Sequence, residues 1–162
     1  MKNAKKLIVS AIALAAIFMI YSFKSSNPDK ITTTTDKKVI LLIGIDPKLI
    51  DFSSPEYAAF PGLTAEKVDA GVKAQQSRLK ELGYESELCW IDFGQTASAV
   101  ILEKLKSKKF DGVLIGAGIR VPQVNFILFE KIINMVHQNA AQARIIFNTN
   151  PKDTVEAVQR WL

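Results

Sequence analysis

The sequence predicts an α/β domain in which a four-stranded parallel sheet carries helices on both faces. Four short apolar runs are each followed by a segment with the apolar spacing of a helix. The runs are continuously apolar rather than alternating, which is typical of strands that are covered on both faces. Repeated alternation of strand and helix indicates parallel strands joined by right-handed crossovers, and the predicted strand order is 2-1-3-4.

The predicted elements occupy the chain from residue 39 to residue 162. Gly83 is predicted to end the first helix, because glycine suits the position after a helix terminus. Asp153 and Glu156 predict a reciprocal cap at the start of the last helix. The strands are predicted at 39–45, 87–93, 112–119 and 144–150, and the helices at 65–82, 96–108, 125–138 and 154–162.

The length of the chain indicates the number of domains, and the distribution of charge indicates the class of partner. The 162 residues, 48% of them hydrophobic, suffice for one domain with a real core. The net charge of +5 arises in residues 1–38, which hold seven lysines and two aspartates, whereas residues 39–162 hold 14 basic and 14 acidic residues. A nucleic-acid binder gathers positive charge on its domain. The neutral domain therefore excludes nucleic acid from the predicted partners.

The amino-terminal segment predicts attachment to a membrane. Residues 7–23 carry no charged side chain, and as a helix they would span roughly 25 Å, near the short limit for crossing a bilayer. We predict a transmembrane anchor in residues 1–24, a flexible polar linker in residues 25–38 and the α/β domain in residues 39–162. A cleaved secretory signal is the alternative. The lysines nearest the apolar run favour a domain outside the cytoplasm.

The order of strands and helices resembles the flavodoxin-like and Rossmann-like architectures across residues 39–162. The segments at 44–47, 116–118 and 147–151 are also similar to the GID-P, GAG and FNT-P segments of small uncharacterised bacterial α/β proteins. The first resemblance implies the fold. The second implies no particular activity.

In an open parallel sheet, ligands bind beyond the carboxyl ends of the strands, where the winding reverses direction. With order 2-1-3-4 this point lies between the first and third strands, so the loops at 45–64 and 116–123 are predicted to face it. The dinucleotide fingerprint, the P-loop, the hydroxyl-rich phosphate loop of flavodoxins and the acceptor aspartate of receiver domains are all missing from their expected places. The sequence therefore names no cofactor and leaves the catalytic residues unassigned.

Five residues are predicted to surround a small polar or anionic ligand at this crevice. Asp46 ends a central strand, and Gly116 and Gly118 would let the backbone approach a ligand. Arg120 lies near the start of a helix and suits a carboxylate or a phosphate, and Asn148 follows the fourth strand. The alternative interpretations are glycines that serve packing and an ordinary surface arginine.

Other candidate residues are expected to have structural roles. Oxygen ligands for Mg²⁺ are available on side chains near the strand ends. These residues are Asp46, Asp51 and Asp92, and after the fourth strand Asn148, Asn150 and Asp153. Such residues are also favoured in turns and at helix starts, and no metal site is predicted. Cys89 is expected to be buried in the second strand, and His137 to lie near a helix end, away from the crevice.

Two longer segments, a loop and a helix, also bear on the function of the domain. The loop at 46–64 carries Phe52, Tyr57 and Phe60, which predicts a lid or a packed cover over the crevice. The helix at 125–138 is more apolar than one buried stripe requires, which suggests a homo-oligomer or a partner protein. The hypotheses are therefore a membrane-tethered ligand-binding domain, an interaction module without catalysis, and an enzyme acting on a small metabolite.

Overall fold

Parallel strands alternate with helices along the chain in the computed structural model, which describes residues 37–162. The strands are β1 (Val39–Ile45), β2 (Glu85–Ile91), β3 (Gly112–Ile115) and β4 (Arg144–Phe147). The α-helices are α1 (Ala65–Glu81), α2 (Ala97–Ser107), α3 (Ala117–Arg120), α4 (Phe126–Asn139) and α5 (Thr154–Gln159). Short 3₁₀ turns lie at Pro47–Leu49, Pro55–Tyr57, Gln123–Asn125 and Pro151–Asp153.

The sheet confirms the predicted order, β2-β1-β3-β4, and every neighbouring pair of strands is parallel. β1 is central, since Ile43 pairs with Cys89 of β2 on one side and with Ile115 of β3 on the other. This register places the carboxyl ends of β1 and β3 side by side. The chain segments that follow these two strands therefore start from the same edge of the sheet.

The helices cover the two faces of the sheet with separate cores. Leu41, Ile43 and Ile45 of β1 pack with α2 and α4, whereas Ile40 and Leu42 face α1 and α5. Successive side chains of a strand point to opposite faces, so one strand serves both layers. The core beneath α2 and α4 contains 16 buried residues and the core beneath α1 and α5 contains eight. The second face therefore buries fewer residues.

Three predicted strand ends are wrong by two to four residues, and each of these errors has a local cause; β2 also starts at Glu85, two residues earlier than predicted. β3 ends at Ile115 rather than at residue 119, because the chain turns at Gly116 and enters α3. β4 ends at Phe147, before the buried Asn148. β2 ends before Asp92, whose carboxylate accepts hydrogen bonds from backbone N–H groups of the turn that follows.

The cap near the last helix also differs from the prediction. Asn150 and Asp153 form the reciprocal pair, in which the Asn150 side chain accepts from the backbone of Lys152 and Asp153 accepts from the backbone of Asn150. The cap lies three residues earlier than predicted because a 3₁₀ turn precedes α5. Asp153 therefore stabilises a turn, but as the third residue of the 3₁₀ turn and not as the N-cap of α5. Its partner, however, is Asn150 rather than Glu156.

The predicted anchor at residues 1–24 and most of the predicted linker at 25–38 lie outside the described residues. Within residues 37–162, no helix combines the length and the apolar character that crossing a bilayer requires. The membrane anchor therefore stays a prediction from the sequence.

Candidate functional site

A partly enclosed cavity lies at the carboxyl ends of β1 and β3, on the sheet face covered by α1 and α5. Its volume is about 90 Å³, which is roughly the space needed by six water molecules. Ile45 and Gly116 both line it, so the segments that follow β1 and β3 border one shared hollow, as predicted. Its walls also include Leu42, Leu114, Val68, Val72, Trp90 and Leu63.

The lining of the cavity is mainly apolar. The polar side chains of Asn148 and Thr154 reach the wall, but Asn148 Nδ2 donates to Thr154 Oγ1 at 3.0 Å, and that hydroxyl donates to the Pro151 carbonyl oxygen at 3.2 Å. A buried water needs two to four polar partners. Because these polar groups already bond to one another, the cavity suits an apolar occupant better than a cluster of water molecules.

Two valines of α1 line this cavity and leave its space unfilled. Val68 and Val72 stand four residues apart on one side of the helix and remain half-buried, whereas Leu79, farther along α1, is fully buried. Both valines line the cavity. The core-facing side of α1 is therefore filled at its carboxyl end and left open at its amino end.

Gly44 makes room for a large aromatic side chain in the cavity wall. It pairs with Trp90 across β1 and β2, and a Cβ atom at Gly44 would lie only 2.5 Å from Cζ3 of the indole. The Trp90 ring thus occupies the place that a side chain at position 44 would take.

The two glycines at 116–118 have different surroundings. A Cβ atom at Gly116 would lie 3.2 Å from the carbonyl oxygen of Ile43, so this glycine permits close approach of the backbone to β1. A Cβ atom at Gly118 would meet no atom within 4 Å. Both residues line the cavity. Gly116 therefore serves packing, and Gly118 leaves open space beside the cavity.

The segment between β1 and α1 covers the cavity. Phe52, Tyr57 and Phe60 form an aromatic cluster, with ring centroids 6.0 Å apart for the first pair and 6.4 Å apart for the second. Asn125 Nδ2 donates to the buried Tyr57 hydroxyl at 3.3 Å and to the Gly118 carbonyl oxygen at 3.0 Å. Burial raises the pKa of Tyr57, and the hydrogen bond from Asn125 opposes that rise. The segment is a packed cover, tied to the opposite wall through Asn125.

Asn148 joins elements of the site. Its Oδ1 atom accepts from the backbone N–H of Ala117 at 2.9 Å, which fixes the start of α3. Arg120 donates to the backbone oxygen of Asn148 at 3.0 Å, and its guanidinium lies 5.8 Å from the centroid of the Phe147 ring. Among the described residues, no atom accepts a hydrogen bond from the buried Nε of Arg120.

Asp46 lies at the predicted edge of the sheet, beside the cavity rather than in its wall. Its carboxylate accepts from the backbone N–H of Lys48 at 3.0 Å and caps the first 3₁₀ turn. Of the five predicted ligand residues, the structure brings Gly116, Gly118 and Asn148 to the cavity wall. Asp46 and Arg120 stay outside that wall.

The geometry of the site indicates its chemistry. The sequence matches no family model and no curated protein. Parallel α/β sheets carry many unrelated activities, so the fold alone does not decide the function.

Acidic residues near the strand ends hold turns in place. Asp92 accepts from the backbone N–H groups of Gly94, Thr96 and Ala97 and from the Thr96 hydroxyl. Burial acts to raise the pKa of Asp92, but these hydrogen bonds together outweigh it and lower the pKa to about 2. Within residues 37–162, no three His, Cys, Asp or Glu side chains lie close enough together to hold a metal ion.

Cys89 and His137 lie away from the cavity. Cys89 is buried in the core beneath α2 and α4, as predicted, and burial raises the pKa of its thiol to about 11. His137 is exposed in the last turn of α4. Neither residue is placed to act on a ligand in the cavity.

The apolar wall is the part of the site that sequence reasoning missed. The spacing of Val68 and Val72 predicts a core-facing stripe, which does not distinguish contact with a filled core from contact with a cavity. The pairing of Gly44 with Trp90 depends on strand register between distant parts of the chain. The available signal was the group of aromatic residues in the loop at 46–64, which points to an apolar surface beneath it.

Proposed function

We propose that the α/β domain binds a small, mainly apolar ligand in this cavity, and that residues 7–23 tether the domain to a membrane. The main support for an apolar ligand is the partly enclosed cavity at the carboxyl edge of the sheet, which is lined by buried and half-buried apolar side chains. Small-molecule sites usually combine an apolar lining with a few polar groups. In open α/β sheets they lie at the reversal of winding, as this cavity does.

The residues that line the cavity favour an apolar ligand, whereas the sequence suggested a polar or anionic one. The charged candidates Asp46 and Arg120 do not line the cavity, and the polar side chains of Asn148 and Thr154 bond to one another. A charged group placed inside would lose its hydration without gaining a partner. Apolar groups gain about 0.8 kcal/mol for each methylene removed from water. The cavity therefore accommodates the apolar part of a ligand.

Titration with octanol tests this proposal. The full chain would be held in lipid nanodiscs, with empty nanodiscs correcting for octanol taken up by lipid, and the methyl resonances of Val68 and Val72 would be followed by NMR. We expect saturable shifts, because both side chains line the cavity. Gly118→Leu should fill the open space beside the cavity and abolish the shifts, and Gly118→Ala should weaken binding to a smaller extent.

Ala99→Leu is the matched control, because it adds the same kind of apolar side chain at an exposed position of α2, on the opposite face of the sheet. This variant should bind octanol as the unaltered chain does. Shifts that do not saturate, or that persist unchanged in Gly118→Leu, would contradict binding in the cavity.

A second candidate function is self-association through the start of α4. Val124, Phe126 and Ile127 are 64%, 53% and 57% exposed, although Leu128 and Ile132 of the same helix are buried. Neighbouring exposed apolar side chains are typical of interaction surfaces. We propose a second copy of this chain as their partner, in agreement with the oligomer predicted from the sequence.

Light scattering of the full chain in nanodiscs distinguishes this function from a purely ligand-binding one. Ile127→Asp should reduce the assembled mass, because a charge would have to lose water at the contact. Lys131→Asp, at an exposed position one turn further along α4, is the control. One chain per nanodisc for the unaltered protein at high loading would count against self-association.

A further inference from the structure

A second hollow shares part of its wall with the apolar cavity. This outer groove has a volume of about 750 Å³ and shares Phe60, Leu63 and Pro151 with the wall of the cavity. Lys67 of α1 and Lys152, just before α5, also line it. No acidic side chain is among the described residues that line the groove. An apolar space therefore adjoins a groove whose charged side chains are all basic.

The two lysines have donors left for a ligand. An ammonium group carries three N–H donors, and Lys67 Nζ uses one to reach the Gly62 carbonyl oxygen at 2.6 Å. Lys104 and Lys108, by contrast, are both paired with Glu87. In the part of the chain that the structure describes, neither Lys67 nor Lys152 forms an ion pair with a carboxylate.

We infer that the ligand is an amphipathic carboxylate with an apolar tail, in which the tail enters the cavity and the carboxylate binds Lys67 and Lys152 in the outer groove. This inference rests on the proposed function and specifies the ligand class. The head group keeps contact with water and gains charge-assisted hydrogen bonds. The tail leaves water for a wall of Val68, Val72 and Trp90. The two halves of the site thus match the two halves of one molecule.

Three ligands with the same tail and different head groups test the inference. Octanoate, octanol and octylammonium would be titrated into the full chain in nanodiscs, with empty nanodiscs as the blank. Methyl shifts of Val68 and Val72 report the tail in each titration. We expect octanoate to bind at least tenfold more tightly than octanol, and octylammonium to bind more weakly than both, because the groove lysines repel a cation.

The double variant Lys67→Ala with Lys152→Ala should remove the advantage of octanoate over octanol, because the carboxylate then has no ammonium partner in the groove. Lys106→Ala with Lys131→Ala is the control, since it makes the same change of charge on the opposite face of the sheet, beside Glu130. Lengthening the carboxylate tail by one methylene should tighten binding about fourfold until the cavity is full, which corresponds to about 0.8 kcal/mol.

The outcomes separate the two proposals. Equal affinity for octanoate and octanol, or an octanoate preference that survives the groove double variant, would overturn the carboxylate inference while the apolar site stands. Absence of saturable binding by all three ligands would overturn the proposed function as well. A preference for octanoate that both double variants reduce equally would indicate general surface charge and would also refute the inference.

Discussion

Gly116 and Gly118 show how the surroundings of a residue decide its role. An added methyl group at Gly116 would press against the backbone oxygen of Ile43, which cannot move without shifting β1. At Gly118 the same group would enter open space, and the backbone there has no positive φ angle that would favour glycine. Gly118 is therefore the position at which the cavity can be reshaped with the least disturbance of the sheet.

Asp92 makes the stability of the domain sensitive to acid. Its pKa of about 2 in the folded protein lies below the value of about 3.9 expected in an unfolded chain. The stabilisation is therefore fully present above about pH 4 and is lost as the pH falls through about 2. We expect Asp92→Asn to lower the denaturant midpoint at neutral pH, and its difference from the unaltered protein to shrink between about pH 4 and about pH 2.

Chemical unfolding across this pH range checks the prediction. Asp69→Asn is the control, because it removes only the exposed pair with Lys73 in α1 and should change the midpoint little. An Asp92→Asn effect of constant size from neutral pH down to about pH 2 would contradict a role for the charge of Asp92.

At the scale of elements, a buried hydrogen bond ties the cover between β1 and α1 to Asn125. Tyr57→Phe removes the hydroxyl that accepts from Asn125 Nδ2, while Asn125 keeps its bond to the Gly118 carbonyl oxygen. We expect the free energy of unfolding to fall by about 1 kcal/mol, the usual net contribution of such a hydrogen bond. Amide hydrogen exchange should also quicken across residues 51–60.

Tyr84→Phe provides the matched control for the cover, because Tyr84 packs against the core beneath α1 and α5 and does not line the cavity. Exchange across residues 51–60 should not change in that variant. Equal exchange in both variants and in the unaltered chain would mean that Tyr57 does not hold the cover in place.

At the scale of the whole molecule, Cys89 reports whether the domain unfolds as a unit. It is 1% exposed, and burial raises the pKa of its thiol to about 11. At about pH 8 only about one thiol in a thousand would then be ionised, and the thiolate is the reactive form. We expect a thiol reagent to label Cys89 at a rate that rises with denaturant as steeply as global unfolding does.

A chain with Cys89→Ser and Ser107→Cys supplies the comparison, since position 107 is exposed at the end of α2. That thiol should react at once without denaturant. Rapid labelling of Cys89 in the absence of denaturant would instead indicate local opening of β2 at the edge of the sheet.

The sequence was most informative where neighbouring residues decide the outcome. Apolar runs such as the one at 39–45 predicted a buried strand because every residue of a central strand faces protein. The strand ends were less predictable. The hydrogen bond from Ala117 to Asn148, which fixes the start of α3 and joins residues 31 positions apart, has no local signature.

The sequence by itself determined the parallel sheet, its strand order and the edge at which a site could form, since alternating strand and helix permit few arrangements of right-handed crossovers. Only the tertiary structure decided that the site is apolar. Cavity shape depends on the volumes that distant side chains leave unfilled, and here Trp90 opposite Gly44 and the half-buried Val68 and Val72 meet only after the sheet has formed. Asp46 and Arg120 lie outside the wall, where Asp46 bonds to the backbone of Lys48 and Arg120 bonds to the backbone of Asn148.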